Sequence, residues 1–460
     1  MTQTRQLFGT DGIRGVAGEF PLTVESTFIT GRALGHDLMR NNPRARVLIG
    51  QDTRESSRWI ADRVAAGLSS CGVEVASAGV ITTPGVAYLA RSHRFDAGVV
   101  ISASHNPWTD NGIKVFSGDG YKLPDARELV IEKEIFALLQ SSEALPRLAD
   151  KQTAPTLPGD AGLRRAYIDW LGSNVSADLS RLRVLVDCAN GAATAEAPEL
   201  FRGRVQASFL HAAPDGKNIN DNCGALHPEN VAKAVAQNKG QFDLGVTFDG
   251  DADRALFSDA KGNVVNGDGV LLLAARDMRS RGALANDTLV ATTMSNMGLE
   301  IALRRSGIRM LRANVGDKYV LEEMQKTGAT LGGEQSGHII FRDGEATTGD
   351  GLLTALRVME MMVRSGRSLA ELVGDLQVFP QIIQNVRVRE KVPFAQVPQI
   401  QTAIEAAERE LDGNGRVVVR YSGTEALARV MVEAQEEGPM SRIAGTIADS
   451  IRAALGATKN

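Results

Sequence analysis

The stretch Gly98-Val99-Val100-Ile101-Ser102-Ala103-Ser104-His105-Asn106-Pro107 runs from an apolar strand into a knot of small polar residues. β-Branched residues stopped by Asn-Pro read as a buried central strand whose C-terminal end opens into a loop. Parallel sheets place their chemistry at that end. Ser104 therefore either caps a turn or carries a reaction, and the rest of the chain decides between the two.

The same grammar recurs along the sequence. Residues 46–50 (RVLIG), 97–101, 183–187 (RVLVD), 244–248 (LGVTF) and 288–292 (TLVAT) read as strands, and several lead into polar loops: QDTRESS, ASHNP, CANGAA and FDGDADR. Their alternation with amphipathic segments of helical length is the pattern of tandem α/β layers. The Pro- and Gly-containing segment 141–160, with KQTAPTLPGD inside it, marks a domain edge. A second shift falls at 378–392, followed by a helix, two strands and a terminal helix. The expected fold class is α/β: three tandem α/β domains (1–157, 158–257 and 258–374) and a smaller C-terminal α+β domain (375–460).

Lys and Arg (51) nearly balance Asp and Glu (55) over the 460 residues. That excludes the global basic field of a nucleic-acid binder and favours a small-molecule partner. The three cysteines, Cys71, Cys188 and Cys223, are far apart and form neither a zinc-ligand pattern nor a disulfide framework, which fits a reducing cytoplasm. The opening MTQTRQLFGTDGIRG lacks the apolar core of a signal peptide, and no apolar run reaches the length of a membrane span. Neither export nor a membrane partner is expected.

In Thr247-Phe248-Asp249-Gly250-Asp251-Ala252-Asp253-Arg254, three Asp alternate just past a strand. On an extended backbone, period-two geometry points all three carboxylates to one side, a hard-oxygen site for Mg²⁺. A calcium loop of the EF-hand type starts with the same spacing but needs Gly at its sixth position and Glu at its twelfth, where this chain has Arg254 and Ala260. A solvated acidic turn is the bland alternative, and mutual repulsion weighs against it. A phosphate on Ser104 or on a substrate would complete the metal's shell.

Arg420-Tyr421-Ser422-Gly423-Thr424-Glu425 follows a strand and offers hydroxyls, close backbone N–H groups and a guanidinium, with Arg429 on the next strand as a second: an anion cradle, or a plain hairpin turn. Glu334, Ser336 and His338, spaced by two and flanked by glycines, present groups able to read sugar hydroxyls, although His338 taken alone reads as a satisfied turn histidine. Arg14 and Lys114 lie in Gly-punctuated stretches where each can meet an anion. The Met-rich LLTALRVMEMMV (352–363) reads as core.

Taken together, FGTDGIRG, ASHNP, DGDADR, GEQSGH and RYSGTE, in that order across nearly the whole chain, resemble the α-D-phosphohexomutase family. FGTDGIRG, MSNMGLE (294–300), VGDKYV (315–320) and Gln335 inside GEQSGH resemble its amino-sugar branch. The resemblance implies four domains around a central cleft, in a cytoplasmic monomer or homodimer that interconverts glucosamine 6-phosphate and glucosamine 1-phosphate for cell-wall precursor synthesis. It implies Ser104 as a phosphoserine, primed by a sugar bisphosphate or a kinase, which donates to the substrate through a 1,6-bisphosphate. It further implies Mg²⁺ on Asp249, Asp251, Asp253 and a phosphoserine oxygen, and Arg14, Lys114 and Arg254 around the moving phosphoryl, with Lys114 a candidate for proton handling. Glu334 and Ser336, with His338, resemble the sugar readers, and Arg420, Ser422, Gly423, Thr424 and Arg429 the distal-phosphate site. The family commonly has Pro after SGTE where this chain has Ala426. A mannose or glucose phosphate mutase of the same family is the alternative; a phosphatase or sugar-phosphate sensor is the rival from other classes. His105 follows Ser104 directly, and adjacent side chains diverge on an extended backbone, so a Ser-His hydrolase pair is not expected.

Overall fold

The computed structural model describes residues 5–9, 11–141, 157–422 and 426–456. The domain edge read at 141–160 falls largely outside them, as do Gly423 and Thr424. Among the described residues, four sheets, of six, five, four and three strands, organise the fold. It divides into two compact units, Met1–Thr292 with Leu311–Gly374, and Thr293–Met310 with Asp375–Asn460.

In the larger unit, the six-stranded sheet runs Phe8–Gly9, Gly12–Val16, Asp110–Ser117, Ala97–Ile101, Arg46–Gln51, Glu74–Val80. Ala97–Ile101 is fully buried, parallel to Arg46–Gln51 and antiparallel to Asp110–Ser117. Covered on both faces, it needs no polar alternation, which is why its sequence is continuously apolar. In the five-stranded sheet Leu244–Phe248 holds the same central place, parallel to Arg183–Asp187 and antiparallel to Ala255–Asp259. In the next layer Leu331–Gly333 runs parallel to Thr288–Thr292 and antiparallel to Ile339–Phe341. The Ser104 loop, the Asp249–Asp253 loop and the Glu334–His338 turn each follow the end of a buried strand.

One expected boundary moves. The second sheet extends past residue 257 to Val264–Val265, because the acidic loop is a turn inside an antiparallel pair and returns the chain to the same sheet. The Met-rich segment forms the helix Gly351–Ser365, with Met359, Met361 and Met362 buried.

In the smaller unit, Gln381–Arg387, Leu427–Ala434 and Gly415–Tyr421 form an antiparallel sheet. Its core packs Val430 and Val432 with Ile443, Ile447 and Ile451 of the helix Glu437–Leu455. Glu433 accepts from the Met297 backbone N–H (2.6 Å) and Arg416 donates to the Thr293 carbonyl (2.7 Å), tying the helix Met297–Arg305 to this unit. Among the described residues, no helix is long and apolar enough to cross a membrane.

Candidate active site

Past Ile101 the backbone leaves the extended region. The Ser104 N–H donates to Ser102 Oγ (3.0 Å), and Ser104 sits at φ 54°, in the left-handed region that costs a non-glycine residue about 1 kcal/mol. This conformation turns Ser104 Oγ toward the second sheet, where it donates to Asp249 Oδ2 at 2.7 Å. It also corrects the expectation for His105: with Ser104 not extended, His105 Nδ1 lies 3.2 Å from Ser104 Oγ. Burial, with the charges of Arg254 and Arg14, lowers the imidazole to about 4, so the ring beside the serine is neutral at ordinary pH.

The carboxylates converge, by a different route from the expected one. Residues 249–253 form a tight turn, closed by the Ala252 N–H donating to the Asp249 carbonyl (3.0 Å) with Ala252 at φ 54°. Gly250 fits there because it has no side chain: a Cβ would lie 2.5 Å from the Ser104 carbonyl oxygen. The turn leaves one oxygen from each Asp within 4.8 Å of the others, all three residues buried. Asp251 Oδ2 accepts from Lys114 Nζ (2.7 Å) and Thr83 Oγ1 (2.5 Å). Asp251 Oδ1 and Asp253 Oδ1 are buried without a hydrogen bond. Burial, then the charges of Asp253 and Asp251, push the Asp249 carboxyl well above the usual range. Burial would raise Asp253 too, but His338, Lys114 and Arg254 outweigh it and hold this carboxyl low. Three crowded carboxyls, with two buried oxygens that accept no hydrogen bond, suit a hard divalent cation, which would relieve their mutual repulsion.

A second grouping gives the contrast. Asp187, His211 and Cys223 also bring ligand atoms within 4.8 Å of one another. The Asp187 carboxylate, however, already accepts from the Ala189 N–H (2.9 Å), the Gly224 N–H (3.0 Å) and His211 Nδ1 (3.0 Å), and so serves as a loop tie.

Cations surround the acidic turn. Lys114 Nζ lies 2.9 Å from Asp11 Oδ2 besides its bond to Asp251, and Arg254 Nε lies 3.8 Å from Asp253 Oδ1. Burial alone would lower the Lys114 pKa, but Asp11, Asp251 and Asp253 raise it, so it stands as an ammonium. Arg14 pairs with Asp11. Its Nε and that of Arg254 are buried without a hydrogen-bond acceptor. Sequence reasoning passed over the other half of this network: Lys122 bridges Asp11 Oδ1 (2.5 Å) and Asp317 Oδ2 (2.6 Å). Asp11 and Asp317 sit inside FGTDGIRG and VGDKYV, and a charge enclosed in a glycine motif was the available signal.

Glu334 Oε1 accepts from the Gly316 N–H (3.0 Å) and Oε2 from Ser336 Oγ (3.2 Å), so these two groups form one unit. His338 faces elsewhere. Its side chain is 3% exposed, with Nδ1 3.6 Å from Asp253 Oδ1 and Nε2 3.8 Å from Asp317 Oδ2. It backs the acidic turn, away from solvent.

In the smaller unit Arg420 and Arg429 are directly opposite in the antiparallel pair. Burial, then the charge of Arg429, lowers the Arg420 pKa. Like charges facing across a ladder destabilise it, and an anion relieves them. Ser422, which closes the strand, is 4% exposed.

The chain matches the phosphoglucomutase/phosphomannomutase family in all four parts: alpha/beta/alpha domain I over residues 5–142, domain II over 165–262, domain III over 266–379 and the C-terminal domain over 384–450. It is 64% identical over 455 residues to the phosphoglucosamine mutase of Koribacter versatilis (98% of each chain). To that of Solibacter usitatus it is 51% identical, over 98% of this chain and 99% of the other. A solved phosphoglucomutase/phosphomannomutase family protein from Burkholderia thailandensis shares the fold at TM-score 0.79, with 24% identity and 97% of each chain covered. Aspergillus fumigatus N-acetylphosphoglucosamine mutase, solved with GlcNAc-6P and magnesium, superposes at TM-score 0.66, with 19% identity, 98% of this chain and 96% of that one covered.

Proposed function

The chain belongs to the phosphoglucomutase/phosphomannomutase family, and on that premise we propose how it works as a phosphoglucosamine mutase, an intramolecular phosphotransferase acting on a hexosamine phosphate. Ser104 is the phosphoryl carrier in this reading. The bond from its Oγ to phosphorus breaks as one forms from O1 of glucosamine 6-phosphate, giving the 1,6-bisphosphate. The sugar hydroxyl loses a proton and Ser104 Oγ gains one. The bisphosphate then turns end for end and returns its 6-phosphoryl to Ser104, leaving glucosamine 1-phosphate.

The observation that carries this is Ser104 Oγ held 2.7 Å from Asp249 Oδ2, at the edge of a carboxylate set with two unsatisfied oxygens. Asp249, Asp251 and Asp253 would hold Mg²⁺, which when bound neutralises charge on the phosphoryl in transit. Lys114, kept an ammonium, contributes charge and a donor rather than a base. Arg14 and Arg254 have guanidinium N–H groups to spare for phosphoryl oxygens. Glu334 and Ser336 read the sugar, with His338 fixing Asp253 behind them. Arg420, Ser422 and Arg429, with Gly423 and Thr424, grip the phosphate that is not reacting. In this division the domains divide the labour: serine in the first, metal in the second, sugar in the third and distal phosphate in the fourth. The setting we assign is a reducing cytoplasm, in which Cys71, Cys188 and Cys223 remain free thiols.

The test is mutase turnover with Mg²⁺ on glucosamine 6-phosphate, glucose 6-phosphate and mannose 6-phosphate, wild type beside Ser104→Ala. Preference for the amino sugar and loss of at least about 1,000-fold in the variant are expected. Preference for a neutral sugar overturns the substrate, release of inorganic phosphate points to a hydrolase, and an active variant removes Ser104 as carrier.

A further inference from the structure

We infer that Arg54 and Asn220 form a two-sided clamp that aims Ser104 Oγ, as positioning residues for the transfer; the inference rests on Ser104 being the phosphoryl carrier. Arg54 lies in the polar loop after Arg46–Gln51, immediately before the helix Glu55–Ser69. Its side chain is 0% exposed, an environment that a guanidinium tolerates only when its charge and donors are satisfied. Nη1 pairs with Asp52, which is itself fixed by the Arg54 N–H (3.0 Å) and Ser57 Oγ (2.6 Å). With the fork held in this way, Nη2 donates to the carbonyl oxygens of Ser104 (3.0 Å) and Asn106 (2.6 Å).

Asn220 comes from the second α/β layer and reaches the same two atoms. Its Nδ2 donates to the Ser104 carbonyl at 2.9 Å and the Asn106 carbonyl at 3.2 Å. Each of the two carbonyls therefore receives a donor from each layer. The Gly250 backbone packs on the same spot, where a Cβ would come within 2.5 Å of the Ser104 oxygen and 2.8 Å of Asn220 Nδ2. One carbonyl thus registers the serine loop, its own layer and the metal turn together. A left-handed Ser104 persists only if its surroundings over-determine it, and these donors supply that constraint. Neither clamp residue has a bond to Ser104 Oγ, so both act through the backbone.

The test uses the full chain with Mg²⁺, comparing wild type, Ser104→Ala, Asn220→Ala, Asn220→Asp, Arg54→Lys and the double variant Arg54→Lys/Asn220→Ala. Because a misplacement near 1 Å costs about 100-fold, the clamp variants are expected to lose about 10- to 100-fold in kcat with KM for glucosamine 6-phosphate and Tm close to wild type. Asn220→Asp, which sets an anion against two carbonyls, is expected to be worse than Asn220→Ala. Since both residues hold the same atoms, the losses of Arg54→Lys and Asn220→Ala combine non-additively. If Arg54→Lys fails to fold, the two Asn220 variants decide. Clamp variants with wild-type kcat per folded enzyme, or a loss confined to KM or Tm, overturn the clamp. A wild type no faster than Ser104→Ala overturns the carrier reading instead.

Discussion

Asp350 shows how much a single buried carboxyl can weigh. It is the N-cap of the helix Gly351–Ser365, with Oδ1 accepting from the Leu353 N–H (2.9 Å) and Oδ2 from the Tyr167 hydroxyl (2.7 Å). Burial outweighs these bonds and raises its pKa to about 6. An acid with a raised folded-state pKa binds its proton more tightly in the native chain than in the unfolded one. Its stabilising contribution is therefore complete below about pH 4 and lost as the pH rises through about 6, on the order of 3 kcal/mol in all. Asp350→Asn keeps the cap and removes the titration. In denaturant melts between pH 4 and 8, the variant is expected to gain on wild type as the pH rises and to show no advantage at pH 4. Parallel curves would mean that Asp350 does not titrate in this range.

At the scale of elements, loop shape matters as much as loop chemistry. The clustering of three carboxylates was legible because three Asp at alternate positions are written in the sequence, but the turn that brings them together was not. Ala252 at φ 54° gives no local cue, since alanine has no preference for that region. Similarly, the Ser104–His105 contact depends on one left-handed residue, and an extended reading of ASHNP hides it. The glycine between the first two Asp carries the consequence. Gly250→Ala drives a Cβ to 2.5 Å from the Ser104 carbonyl, so the serine loop or the metal turn must shift. A kcat loss of about 10-fold or more follows if such shifts disalign the transfer. Gly445→Ala is the control: it lies inside the helix Glu437–Leu455 with nothing within 4 Å of a Cβ, and should stabilise its helix by up to about 1 kcal/mol. Steady-state kinetics and melts on both variants separate crowding from propensity, and an unimpaired Gly250→Ala would show that the contact yields without cost to aim.

At the scale of the whole molecule, the succession of α/β layers and the smaller last part were readable because a buried strand and its polar loop announce themselves locally, whereas partner strands such as Gly12–Val16, Asp110–Ser117 and Ala255–Asp259, and the order of strands in each sheet, were not read. The network around the site was not, because its partners are remote in sequence: Lys114 from Asp251, Lys122 from Asp317, Asn220 from Ser104. Local pattern cannot pair such residues; only the folded layers do. On the proposed function, the same remoteness makes Mg²⁺ binding a property of the fold. Asp249, Asp251 and Asp253 converge only when Leu244–Phe248 is paired with Ala255–Asp259, and the first layer's Lys114 and Ser104 complete their surroundings. A cation that binds the native arrangement and not the unfolded chain must stabilise it, by about 2.7 kcal/mol at a concentration one hundred times its Kd. Thermal melts of the metal-stripped chain are therefore expected to shift upward with added Mg²⁺, and mutase activity to return along the same titration. Asp251→Asn replaces a carboxylate oxygen and its charge with an amide, and should abolish the Mg²⁺-dependent shift; without metal it is expected to melt lower than wild type, because the buried Lys114 loses its carboxylate partner at 2.7 Å. A metal-dependent shift that survives Asp251→Asn would place the stabilising cation elsewhere on the molecule.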